Sequence, residues 1–101
     1  MLNKKLIFTP EINRALDALG QENRRKIIQY IVKQGKISFS DLIKFTGLKS
    51  STLTFHLREL MKASLINNFY VKLEEKRNYS YYELTSFGKD FLKAIGLFNT
   101  I

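Results

Sequence analysis

One stretch of this 101-residue chain carries side chains whose types and spacing suit contact with a nucleic acid. At about 100° per residue, Ser51, Phe55, Arg58 and Lys62 fall on one side of a helix, with Ser50 and Thr54 beside them. Leu53, Leu57, Leu60 and Met61 fall on the opposite side. Hydroxyls bond several base edges, a guanidinium pairs bidentately with guanine, and a ring or methyl group lies against the thymine methyl. Ser50, Ser51, Thr54, Phe55 and Arg58 are therefore candidates for base readout. The plainer alternative is an ordinary solvated helix face. Phe55 argues against it, because a large ring amid polar neighbours invites a contact; that contact is either a base or the hairpin that follows.

A second group suits phosphates, which position a protein without reading sequence. Lys44 and Lys49 flank the turn before this helix, Thr52 and Lys62 lie on it, Arg24 opens an earlier helix, and Lys76 and Arg77 sit at a hairpin tip. Each has a competing role. Arg24 also suits a bond to a neighbouring loop, Arg58 and Lys62 can pair with acids such as Glu59, and Glu74 and Glu75 offset Lys76 and Arg77. His56, the single histidine, stands on the border of the apolar face with no partner for catalysis or metal binding, so it reads as a half-buried structural imidazole.

Composition narrows the class. The net charge of +8 points to a polyanionic partner, since neutralising phosphates releases condensed counterions. The excess is concentrated: residues 21–62 hold nine basic side chains against Glu22, Asp41 and Glu59, a net +6. A 45% hydrophobic fraction suffices for a core and excludes a disordered chain. With no cysteine and one histidine, disulfide frameworks, thiolate metal sites and the usual catalytic constellations lack parts, so no enzyme, cofactor or metal is expected. The run Leu6-Ile7-Phe8 is too short for a signal-peptide core, and no stretch approaches the roughly 20 apolar residues of a membrane span. A soluble, cytoplasmic protein with no membrane partner is expected.

The elements that must hold these residues follow from periodicity. Thr9-Pro10-Glu11 opens a helix with inward Ile12, Ala15, Leu16 and Leu19, ending at Gly20. A second helix spans about 23–34, with Ile27, Ile28, Ile31 and Val32 inward, and stops at Gly35. Ile37-Ser38-Phe39 reads as a short strand, Ser40 as the cap of a third helix to about Thr46, and Gly47 as a turn anchored by Leu48. The fourth helix covers about 50–63. Strand-like runs at about 65–73 and 79–85 flank the polar tip at 74–78, where Tyr79, Tyr81 and Tyr82 suit cross-strand packing. Thr85 caps a last helix to about Leu97. The whole is a single domain over 1–101, mainly α with a small β-hairpin (α+β), in which a glycine turn joins a short helix to an amphipathic one.

These residues resemble the winged helix-turn-helix transcriptional regulators of the ArsR and MarR type, over roughly 16–95. The matching pieces are Leu19-Gly20 with Arg24 and Ile27-Ile28, Ser40-Asp41-Leu42 with Thr46-Gly47-Leu48, Ser51 through Leu57 with Leu60, Ala63 and Leu65-Ile66, and Tyr82 through Gly88. The resemblance implies a recognition helix at about 50–63 in the major groove and a wing at about 65–85 on backbone or minor groove. It also implies a homodimer built by the terminal helices. The metal-ligand positions of ArsR-type sensors are not matched here, so no metal effector is expected. Ser64 replaces the glycine that commonly ends the recognition helix.

The broad apolar surface of the last helix fits that dimer. Ile12, Leu16, Phe87, Phe91, Leu92, Ile95 and Phe98 are candidate interface residues, joined by Leu6-Ile7-Phe8. The expected function is a homodimeric, sequence-specific regulator that binds a palindromic double-stranded DNA site. The alternatives are a winged-helix module for RNA or protein, and a non-specific architectural DNA-binding protein.

Overall fold

The computed structural model describes residues 6–74 and 77–97. Its element order is α1 (Pro10–Leu19), α2 (Glu22–Gln34), β1 (Lys36–Ser38), α3 (Phe39–Thr46), α4 (Ser50–Lys62), β2 (Ile66–Glu74), β3 (Arg77–Leu84) and α5 (Ser86–Ala94). The three strands form an antiparallel sheet in the order β1-β3-β2, so the wing is a hairpin with a short third strand along one edge.

α1 begins as expected, with the Thr9 hydroxyl accepting from the Ile12 amide at 3.2 Å and Pro10 at the first helical position. Several boundaries differ from the sequence reading; among them, β2 and β3 extend into the expected tip at 74–78, to Glu74 and from Arg77. Ser38, not Ser40, caps α3, accepting from the Asp41 amide at 3.1 Å, and Phe39 is helical rather than extended. Ser38 is the last strand residue, paired with Tyr81, and its extended backbone is also what an N-cap requires. α5 ends at Ala94, three residues before Leu97. The backbone turns left-handed at Gly96 (φ +80°), and the amides of Leu97 and Gly96 return to the carbonyls of Leu92 and Lys93, a Schellman closure.

The core lies where α1, α2, α3 and α4 meet the sheet. Ile27, Ile31, Leu42, Leu53, Leu57, Leu60, Leu65 and Ile66 are essentially inaccessible to solvent. Burying each such side chain stabilises by about 1.5–3 kcal/mol, so the leucine face of α4 determines how that helix is rotated.

The end of α4, the base of the wing and the start of α5 are tied at one junction. Ser64 has φ +61° and supplies the left-handed corner itself, with Leu65 N–H bonded to Leu60 O and Ser64 N–H to Met61 O. The corner therefore closes as a glycine would close it. The Thr85 hydroxyl donates to Ser64 O and accepts from the Gly88 amide at 2.8 Å, while the Thr85 amide donates to Leu65 O at 3.0 Å. At Gly88 the helix lies directly on the backbone that leads into β2: a Cβ there would stand 2.3 Å from Leu65 O.

Ser64→Gly is expected to raise stability by about 0.5–1 kcal/mol by removing left-handed strain. Gly88→Ala is expected to lower it by more than that, because neither the Leu65 carbonyl nor the helix backbone yields cheaply. Urea titrations followed by circular dichroism check both signs; stabilisation by Gly88→Ala would contradict the close approach.

Candidate nucleic-acid interface

The interface is built on α4 and the turn before it. The turn is closed by Thr46, whose hydroxyl donates to Leu42 O at 2.6 Å and accepts from the Leu48 amide at 3.2 Å, with Gly47 left-handed (φ +69°). Leu48 is half-buried and pins the turn to the core. With Leu53, Leu57 and Leu60 inward, the helical period turns Ser50, Ser51, Thr54, Phe55 and Arg58 outward, and all five are exposed. Among the described residues, the side chains of Ser50, Ser51, Thr54 and Arg58 make no hydrogen bond or ion pair, so their donors are uncommitted.

The candidate phosphate ligands divide. Lys44 and Lys49 are exposed at the two ends of the turn, and Thr52 is half-buried on α4. Lys62 is exposed but pairs with Glu59 at 3.3 Å, three residues back. A surface pair of this kind holds its partners weakly. Lys76 lies outside the described residues, and the strand backbone at Arg77 pairs with Glu74 across the hairpin.

Arg24 is occupied within the molecule. Its Nε donates to His56 Nδ1 at 3.2 Å, its Nη1 lies 3.5 Å from Ala18 O, and its guanidinium carbon stands 5.7 Å from the centre of the Phe55 ring. Phe55, 53% exposed, meets His56 edge-on at 5.6 Å. The ring thus meets Arg24 of α2 and His56 of its own helix. Nothing in the sequence pairs Arg24 with a residue 32 positions away; only the crossing of α2 and α4 brings them together.

His56 is 5% exposed, more deeply buried than its border position suggested. As acceptor for Arg24 its Nδ1 carries no proton, which places the ring proton on Nε2. Burial, and secondarily the Arg24 charge, hold its pKa below the ordinary 6.5.

The proposed dimer stripe also divides. Phe91 and Leu92 are buried within the domain's own core, so they are not free to form an interface. Ile12 and Phe87 are half-buried against that core, and Phe98 lies outside the described residues. Leu16 and Ile95 remain exposed, and with Leu97 they border an apolar groove of about 510 Å³ between α1, α2 and α5. Leu6, Ile7 and Phe8 are exposed as well. Sequence reasoning missed the groove, because its floor of Leu19, Ile28 and Val32 comes from two helices whose packing periodicity does not report. No described helix is long and apolar enough to cross a membrane, and no metal-holding cluster of His, Asp or Glu occurs among the described residues.

Because a lowered folded pKa means that protonation favours the unfolded chain, the His56 contribution to stability is complete above about pH 6.5 and is lost as pH falls below it toward the folded value. Thermal melts of wild type are expected to fall through that window, and those of His56→Asn to fall less. Equal slopes would show that His56 is not the group responsible.

Comparison with known proteins agrees with this geometry. A family model described as winged helix-turn-helix DNA-binding matches residues 21–67. No curated protein sequence matches. Among solved structures, the chain is similar to a transcriptional regulator homologue from Pyrococcus horikoshii, at 26% identity and a TM-score of 0.66, covering 86% of this chain and 91% of that one. A putative transcriptional regulator of the MarR family from Enterococcus faecalis superposes with a TM-score of 0.71 at 23% identity, covering 91% and 84%. An ArsR-family transcriptional regulator superposes with a TM-score of 0.66 at 16% identity, covering 84% and 81%. All three are described as transcriptional regulators or homologues of them. The chain therefore has the winged-helix fold, and over residues 21–67 it matches the family model described as winged helix-turn-helix DNA-binding.

Proposed function

We propose that the chain acts as a homodimeric, sequence-specific regulator of transcription, with α4 in the major groove of double-stranded DNA and the hairpin on the backbone or minor groove. The observation that carries this reading is the outward stripe of α4: five exposed side chains able to contact base edges, four of them polar groups bonded to nothing else among the described residues. Lys44 and Lys49 beside the stripe supply phosphate contacts, and the net +6 of residues 21–62 supplies long-range attraction.

Dimerisation follows from scale. One recognition helix covers few base pairs, whereas two held about 34 Å apart read both halves of a palindrome. Leu16, Ile95 and Leu97, exposed around the groove of α1, α2 and α5, are the residues that a partner copy would cover. Occupancy of such a site by the dimer blocks or recruits polymerase.

On a site selected from random duplexes, Arg58→Ala is expected to cost about 1–3 kcal/mol and relax specificity at one position. Lys49→Ala is expected to weaken binding to all duplexes alike and to reduce the salt slope by about one. If neither substitution alters binding to the selected site, α4 is not the reading helix. In sedimentation experiments Ile95→Glu with Leu97→Glu should give a monomer; a dimer that survives both changes assembles elsewhere.

A further inference from the structure

We propose that Arg24 is a positioning residue and not a phosphate ligand: braced on neutral His56, it holds the Phe55 ring in place on the DNA-facing side of α4, so that discrimination between DNA sequences depends on this internal contact. The proposal rests on the reading of α4 as the DNA-contacting helix and adds the device that sets its most prominent side chain.

A phosphate ligand needs its guanidinium free and turned outward. The Arg24 guanidinium is half-buried, with Nε given to His56 Nδ1 at 3.2 Å and Nη1 directed at Ala18 O, and its plane carbon lies 5.7 Å from the Phe55 ring centre. One side chain of α2 thus joins the end of α1, the buried side of α4 and the exposed ring of α4. Phe55 is left with one part packed on Arg24 and His56 and about half its surface in solvent, the arrangement of a ring held ready for a partner. A ring fixed before binding loses less conformational entropy when it meets DNA than one that must be ordered there.

The brace works only with an unprotonated Nδ1. An imidazolium has two donors and no acceptor, and it would set a positive charge against the guanidinium. The cleft beside the contact is lined by Arg14 and Asp17 of α1, Arg24 of α2, and Glu59 and Lys62 of α4. Asp41 and Lys44 of α3 and Lys72 of β2, the other elements packed on α4, do not line it.

The test uses the full chain, a duplex site selected from random sequence, and an unrelated duplex of the same length. Binding to both is measured for wild type, Arg24→Lys, Arg24→Gln and His56→Asn, with circular dichroism to establish that each is folded. Arg24→Lys keeps the charge but loses the planar fork and the Nε donor. It is expected to lower the ratio of specific to unrelated affinity about tenfold, with the salt slope unchanged. Acidifying wild type from about pH 8 to about pH 5.5 should lower the same ratio, and His56→Asn, which keeps an acceptor at every pH, should remove that dependence.

The proposal is overturned if Arg24→Lys binds as wild type while Arg24→Gln weakens both duplexes equally and reduces the salt slope by about one. It is overturned also if His56→Asn retains the wild-type pH dependence. If no site can be selected at all, the reading of α4 fails, and the contact is judged alone by NMR. Loss of the wild-type cross-peaks between the Phe55 ring and residue 24 in Arg24→Lys supports the brace, and their persistence overturns it.

Discussion

Everything at the candidate interface depends on the burial of one strip of α4. Leu53, Leu57 and Leu60 are packed into the core at 0–1% exposure, and a helix so anchored has no freedom to rotate about its own axis. Turning it by one residue would bring polar groups into the core and leucine into water, at about 2 kcal/mol for each leucine so moved. The outward direction of Ser51, Thr54, Phe55 and Arg58 is thus a consequence of what lies inside. The same packing places His56 at the seam, where a polar ring is tolerated because Arg24 supplies it with a donor.

The surrounding structure holds this helix at both ends. At its start, the Thr46 hydroxyl and the left-handed Gly47 fix the angle between α3 and α4. At its end, Ser64, Leu65, Thr85 and Gly88 join the helix, the wing and α5 through backbone groups and a single hydroxyl. The wing is therefore placed relative to α4 by hydrogen bonds rather than by a long interface. Two surfaces separate as a result: the polar stripe of α4 on one side, and the apolar groove of α1, α2 and α5 on another. The two surfaces share no residue.

Much of this was legible in the chain. The helices announce themselves by apolar residues at helical spacing, and Thr9 and Thr85 sit as caps where hydroxyls serve as caps. Where the reading slipped, a longer-range interaction had intervened. Ser38 caps α3 because pairing with β3 ends there, and Ser40 offered the same chemistry two residues later without that constraint. Phe91 and Leu92 looked available for a partner because periodicity marks a residue as apolar without saying whether its own domain or another copy covers it.

By itself the sequence determined the winged helix-turn-helix order of elements, the concentration of positive charge, and the polar stripe of α4, because period and composition are local properties of the chain. The tertiary structure alone decided which apolar residues are spent in the core and which, like Leu16, Ile95 and Leu97, are left outside. It also decided that Arg24, counted among the candidate phosphate ligands, is bound inward to His56 and Phe55. Residues 32 positions apart become neighbours only when α2 and α4 cross, and the crossing is set by the whole core rather than by either segment.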